Sequence, residues 1–157
     1  MFEKLDGNNP SDVIKMLNML YASEVVAAQQ YWRHANDITG MYSVSIQQMF
    51  DEHAVEEMKH ADMLRKQIHN LGGVLINDLA TLIKINPAIG EGKDVQAHWE
   101  AETMLGFDLT SEEQAIANYK EACMKVMGVD PGTYVVLAEI LNDEYEHAQE
   151  IKNLLAK

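Results

Sequence analysis

The sequence has a single cysteine, Cys123, with three prolines and nine glycines in 157 residues. One thiol makes no internal disulfide, which agrees with a reducing cytoplasm. So few turn-forming residues leave little material for the many tight turns of an all-β fold. No run of 18 or more apolar residues occurs, so no membrane-spanning helix is expected. The opening Met1-Phe2-Glu3-Lys4-Leu5-Asp6 lacks the basic start and apolar stretch of an export signal, and the expected location is the cytoplasm. Positive charge is scarce too: 12 Lys and Arg stand against 25 Asp and Glu, a formal net charge of −13. Nucleic acid and anionic membranes require clustered Lys and Arg against phosphate, so neither is an expected partner. The acid excess favours cations.

What is present points to helix. Apolar residues make up 47% and charged residues 24%, a globular mixture, and the length suits one domain over residues 1–157. Asn9-Pro10 is an N-cap followed by proline at the first helical position. Apolar residues then recur at helical spacing (Val13, Leu17, Leu20, Ala27, Tyr31) up to Thr39, with Gly40 as the stop. A second helix is expected from about Tyr42 to Leu71, ending at Gly72-Gly73. The stretch from Val74 to Lys93, with Pro87, Gly90 and Gly92, reads as a long crossover with a short helix near Asp78–Ile85. A third helix is expected from near Asp94 to Met127, with a break or kink where Gly106 and Thr110-Ser111-Glu112-Glu113 resemble a capping box. Asp130-Pro131 starts the fourth, which runs to about Leu155. Short, long and short connections describe an all-α four-helix bundle with one long crossover between helices 2 and 3.

The chemistry lies where the inner faces carry the wrong residues. On the second helix Phe50, Ala54, Glu57, His60, Ala61 and Leu64 share one stripe; on the fourth, Leu137, Ile140, Glu144, His147, Ala148 and Ile151 do so. Each stripe is apolar except for a Glu and a His three residues apart, close enough to reach one metal region. Roughly 0.6 such pairs are expected by chance in this composition, so the placement mid-stripe carries more weight than the count. Glu24 interrupts the apolar stripe of the first helix and Glu112 that of the third. The interval from lone to paired Glu is 33 residues in the first half and 32 in the second, as in a duplicated two-helix unit docked about a pseudo-twofold axis. Four clustered, buried carboxylates repel one another unless protonated or neutralised, and two divalent ions supply +4 against −4. Oxygen and nitrogen ligands without sulfur suit Fe, Mn or, less selectively, Zn.

At these residues the chain resembles the ferritin-like di-iron superfamily, specifically the bacterioferritins and the bacterioferritin-related, Dps-like mini-ferritins. The resemblance runs from about Asp12 to Leu155 and is densest in Glu56-Glu57-Met58-Lys59-His60-Ala61-Asp62 and Ile140-Leu141-Asn142-Asp143-Glu144-Tyr145-Glu146-His147. It implies a two-iron centre per subunit: Glu24 with His60 at one iron, Glu112 with His147 at the other, and Glu57 and Glu144 bridging. Tyr31 matches a tyrosine kept near that centre as an electron donor, the plain alternative being a core aromatic. Met58 stands where bacterioferritins place a haem-ligating methionine, but haem needs two such residues across a twofold interface, and a core or surface Met is the commoner reading.

The chain ends ten residues after His147, without the further short helix of bacterioferritins, and the interval from Glu57 to Glu112 is longer than they need. Both features resemble the 12-subunit mini-ferritins more than the 24-subunit shells. Thiol-bearing members of that branch carry a Cys two residues after the third-helix Glu; Gln114 stands there in this chain, so no thiol role follows for Cys123. His34, His53, His69 and His98 read as surface residues or supports behind the ligands, and His53, one turn before Glu57, is the one to watch.

The resemblance implies a ferroxidase that oxidises Fe(II) with O2 or H2O2 and stores ferric mineral in a hollow homo-oligomeric shell. A rubrerythrin-like di-iron peroxidase of oxidative-stress defence is the alternative. Those proteins usually add a Glu-x-x-Glu on the third helix and a four-cysteine module, whereas this chain has Ala115 three residues after Glu112 and one Cys. A third reading is an oligomerising scaffold around a structural metal.

Overall fold

Two proline starts and two glycine stops frame the helices found in the computed structural model, which describes residues 1–76, 78, 80, 81 and 100–156. These helices are α1 (Pro10–Asp37), α2 (Ser43–Asn70), α3 (Ala101–Val126) and α4 (Pro131–Leu155), and no strand occurs among the described residues. The Asn9 side chain accepts from the Ser11 amide at the start of α1, and the Asp130 carboxylate accepts from Gly132 and Thr133 at the start of α4. The end of α2 is a Schellman turn. Gly73 N donates to Ile68 O at 2.8 Å and Gly72 N to His69 O at 2.9 Å, with Gly72 in the left-handed region at φ 71°. Of the expected short helix only its start is described, where Ala80 and Thr81 are helical and Thr81 N donates to Asp78 O at 3.1 Å; its remainder, Pro87, Gly90, Gly92, the third-helix start near Asp94 and His98 lie outside the described residues. The first residues of the crossover are anchored: buried Asn18 donates to Val74 O at 3.2 Å and accepts from Ile76 N at 2.8 Å.

The expected break in α3 is absent, and the helix runs unbroken from Ala101 to Val126. Thr110 Oγ1 donates to Gly106 O at 3.0 Å and Ser111 Oγ to Phe107 O at 3.3 Å. Both hydroxyls bond back to the carbonyl four residues earlier instead of capping a new start. Packing on α1 and α4 holds the helix together where local sequence offers a stop.

α1 packs along α2, and α3 along α4. Cross-bundle bonds fix the directions. Tyr119 meets Glu24 while Asp108 meets His34, so α3 runs antiparallel to α1. Gln67 meets Thr133 while His53 meets Glu150, so α4 runs antiparallel to α2. The core falls into two apolar clusters. One holds Phe2, Leu17, Leu20, Leu64, Ile68, Val126, Leu137 and Ile140; the other holds Ala35, Ile46, Phe50, Ala54, Met104, Leu105 and Ile151. Phe2 is fully buried, so the segment before α1 contributes to the core although it has no helical pattern. Between the two clusters lies a polar layer.

Candidate metal centre

That layer contains the six residues singled out by spacing. Glu24 comes from α1, Glu57 and His60 from α2, Glu112 from α3, and Glu144 and His147 from α4; all are buried. His60 Nδ1 lies 3.2 Å from Glu57 Oε2, 3.4 Å from Glu144 Oε1 and 3.6 Å from Glu24 Oε2. His147 Nδ1 lies 3.2 Å from Glu57 Oε1 and 3.9 Å from Glu112 Oε1. Two sets of four result, each offering ligand atoms within 4.8 Å of one another: Glu24, Glu57, His60, Glu144 and Glu57, Glu112, Glu144, His147. Glu57 and Glu144 belong to both.

A further ring of side chains orients these six. His60 Nε2 donates to Asp143 Oδ2 at 3.2 Å, and His147 Nε2 donates to Glu56 Oε2 at 2.8 Å. A carboxylate only accepts, so each Nε2 carries the proton and Nδ1 is the nitrogen turned inward. The exchange is reciprocal: the acid just before each paired Glu reaches the histidine of the facing helix. The tyrosines repeat the pattern. Tyr119 hydroxyl donates to Glu24 Oε1 at 2.5 Å, and Tyr31 hydroxyl donates to Glu112 Oε1, so each tyrosine, seven residues after one lone Glu, bonds to the other. Sequence reasoning passed over the roles of Glu56, Asp143 and Tyr119. The available signal was the repeat itself, an acid before both Glu-x-x-His pairs and a Tyr seven residues after both lone Glu residues.

Burial and crowding set the protonation. Burial raises the Glu112 pKa well above its usual range, with Glu144 and Glu57 adding to the shift, and burial likewise raises Glu57. Burial works against a charged His60, but the Glu144, Glu24 and Glu57 carboxylates outweigh it and push its pKa far up. His147 follows the same balance, burial opposing and Glu57 prevailing, and rises to about 9. Burial first, then the nearby carboxylates, raise both tyrosines well above their usual values. Without a cation the layer is held by protons.

The layer also fits cations on its own geometry. Glu57 Oε1, Glu144 Oε1 and His147 Nδ1 are buried with no well-formed hydrogen bond, their nearest polar contacts being His147 Nδ1 to Glu57 Oε1 at 3.2 Å and His60 Nδ1 to Glu144 Oε1 at 3.4 Å, and ligation would satisfy them. All three point into the layer from residues of the two sets, and the oxygen- and nitrogen-donor set suits Fe, Mn or Zn.

The remaining histidines divide. His69 is exposed. His34 is not a surface residue: it is buried, with Nδ1 2.8 Å from Asp108 Oδ2, while Gln30 donates to Asp108 Oδ1 at 2.6 Å. Burial raises the Asp108 pKa, and His34 and Gln30 pull it back. His53 is buried too. Its ring stacks on His147 with centroids 4.1 Å apart, and burial followed by His147 lowers its pKa. Met58 is 39% exposed on the outward side of α2.

Fold and site together define a four-helix bundle with a buried carboxylate–histidine centre. The chain belongs to the ferritin family, since the family model described as Ferritin-like domain matches residues 14–157. It is 28% identical over 149 residues to the DNA protection during starvation protein of Pyrococcus furiosus, covering 92% of this chain and 78% of that one. It is 30% identical over 154 residues to the bacterioferritin of Brucella melitensis, covering 92% and 85%. Among solved structures, the bacterioferritin-related protein of Bacteroides fragilis, a dodecameric thioferritin, superposes with a TM-score of 0.87 at 28% identity, covering 94% of this chain and 86% of that one. The ferritin-like four-helix bundle is thus the fold of this chain, and iron storage and detoxification is the broad role of its family.

Proposed function

We propose that this protein is a ferroxidase: it takes Fe(II) as substrate, oxidises it in pairs with O2 or H2O2, and stores the Fe(III) as mineral within a homo-oligomeric shell. The observation that carries this reading is the pair of overlapping four-residue sets that share Glu57 and Glu144. Glu24 and His60 would hold one iron, Glu112 and His147 the other, and the two shared carboxylates would touch both. Each Fe(II) loses one electron, whereas O2 going to H2O2, or H2O2 going to water, takes two electrons and two protons. Two irons held side by side supply both electrons at once. The apolar clusters above and below keep bulk water from the layer.

The chain's own groups do the positioning. Asp143 and Glu56 keep each imidazole in the tautomer whose Nδ1 faces inward. Loading displaces the protons that His60 and His147 carry in the empty centre. Tyr31, bonded to Glu112, stands where it can give a further electron, its phenolic proton passing to that carboxylate. The haem reading of Met58 would require a second Met58 across a subunit contact. Asp143→Asn and Glu56→Gln are each expected to weaken divalent-cation binding roughly 10- to 100-fold without altering the helical circular dichroism. Equilibrium dialysis with Zn(II) measures this, and unchanged affinity in both variants would remove the outer carboxylates from the account.

The dodecameric relative supports a shell of 12 subunits, with 24 as the alternative, and native mass separates them. The relative from P. furiosus is named for DNA protection, but a charge of −13 opposes contact with phosphate. No shift of duplex DNA is expected in a gel at physiological salt; a salt-sensitive shift would contradict this. Function is tested by loading Fe(II) anaerobically and adding O2 and H2O2 separately. Growth of a ferric mineral after the first oxidation supports storage. Repeated redox cycling without mineral would favour the peroxidase.

A further inference from the structure

Two irons supply two electrons, which carry O2 only as far as H2O2. Reaching two waters takes four electrons and four protons. Two further one-electron donors stand against the layer. Tyr31 hydroxyl donates to Glu112, and Tyr119 hydroxyl donates to Glu24 Oε1 at 2.5 Å, the length of a charge-assisted O–H···O bond. Of the two four-residue sets, Glu24 belongs to one only and Glu112 to the other, so one phenol stands behind each proposed iron position.

The two tyrosines reach the layer from opposite ends. Tyr119, on α3, is fully buried in the apolar cluster of Leu17, Leu20, Leu137 and Ile140, whereas Tyr31, on α1, belongs to the cluster of Phe50 and Met104. A phenol that loses an electron must also shed its proton, and the acceptor has to lie within hydrogen-bond reach. Glu24 Oε1 is that acceptor for Tyr119. Hydrocarbon around the ring keeps water and outside reductants from it, so an oxidised Tyr119 would persist long enough to be observed.

We propose that Tyr119 is a second redox-active residue of the centre: it gives the fourth electron for reduction of O2 to water, its phenolic proton passing to Glu24. The inference rests on the reading of the layer as a two-iron oxidation centre in which Tyr31 gives the third electron through Glu112. The balance closes. Two Fe(II) become two Fe(III), two phenols become two neutral phenoxyl radicals, and O2 becomes two waters. Two of the four protons come from the phenols and two from solvent. Each radical is later reduced by another Fe(II), its proton returning from the carboxylate. No H2O2 then leaves the centre.

The whole protein is loaded anaerobically with two Fe(II) per subunit, mixed with O2, frozen at successive times and read for a tyrosyl radical by electron paramagnetic resonance. Ring-deuterated tyrosine should narrow the signal and assign it to a phenol. Tyr31→Phe should still give the radical, and adding Tyr119→Phe, which keeps the ring and removes only the hydroxyl, should abolish it. A Tyr119 that merely orients Glu24 would give no such signal. A folded Tyr31→Phe protein that oxidises two irons per subunit without a radical would overturn the inference and leave the centre intact. A radical that survives in the double variant would overturn it equally. If the unaltered protein oxidises no iron in a fast phase, both readings fall. Should Tyr119→Phe misfold beside Tyr31→Phe, Tyr119→Leu takes its place, since leucine already surrounds that position.

Discussion

Changing Glu57 and Glu144 together to Gln should abolish the fast phase of Fe(II) oxidation, a fall of more than about 100-fold. Only these two residues belong to both four-residue sets. Removing either lone Glu would impair one site, whereas removing the shared pair strips a ligand charge from both sites twice over. Gln keeps the volume, so the apolar clusters need not rearrange. Burial already raises the pKa of Glu57, so a neutral amide there relieves a group that is costly to ionise. The amide also takes from His60 and His147 the carboxylates that raise them, so the metal-free double variant should keep its helical fold while losing oxidation. Stopped-flow absorbance after mixing anaerobic Fe(II)-loaded protein with O2 reads the rate, and circular dichroism reads the fold. A folded double variant that oxidises Fe(II) at the original rate would mean that the chemistry takes place elsewhere.

The second large effect is on stability. His60 and His147 are raised above the usual histidine value, His147 to about 9, and Glu57 and Glu112 are raised above the usual carboxyl value. For each of these groups the folded state holds its proton more tightly than the unfolded chain. The contribution of His147 is fully present below about pH 6.5 and is lost as pH rises through about 9; that of His60 is lost higher still. The two carboxyl groups act in the same sense from a lower starting point. Through these groups the folded metal-free protein binds more protons than the unfolded chain, so its stability should fall as pH rises from about 6.5 past 9. Divalent cations replace the protons and remove that dependence. At 100 times its dissociation constant each bound cation adds about 2.7 kcal/mol, so two add about 5 kcal/mol, or about 10–20 °C in a chain of this size. Thermal unfolding at pH 6, 7.5 and 9, with Zn(II) or with a chelator, measures both effects. Equal midpoints with and without Zn(II) at pH 7.5 would argue against a cation in the layer.

Helix ends are legible in this sequence where one residue type has one physical use. Pro10 and Pro131 can stand only in a first turn, and Gly72 takes the left-handed turn after α2. Thr110 and Ser111 have two uses, capping a new helix or bonding back to the preceding turn. Tertiary packing, which spacing does not reveal, selects the second. The six inward acids and imidazoles can be found because each interrupts an apolar stripe, and the structure gathers them in one layer. Asp143 and Glu56 sit at the edge of their stripes and read as ordinary surface acids until α2 and α4 are laid together. His34 and Asp108 are buried only because each finds the other across α1 and α3, 74 residues apart. A polar residue whose burial depends on a distant partner leaves no periodic trace.

The central claim, that Glu24, Glu57, His60, Glu112, Glu144 and His147 form one two-cation oxidation centre, is tested most directly by counting. Fe(II) is added anaerobically in steps, each sample is mixed with excess O2, and the iron oxidised in the fast phase is plotted per subunit. The account predicts a rise that breaks at two. Saturation at one, or a fast phase growing in proportion to added iron with no break, would contradict it.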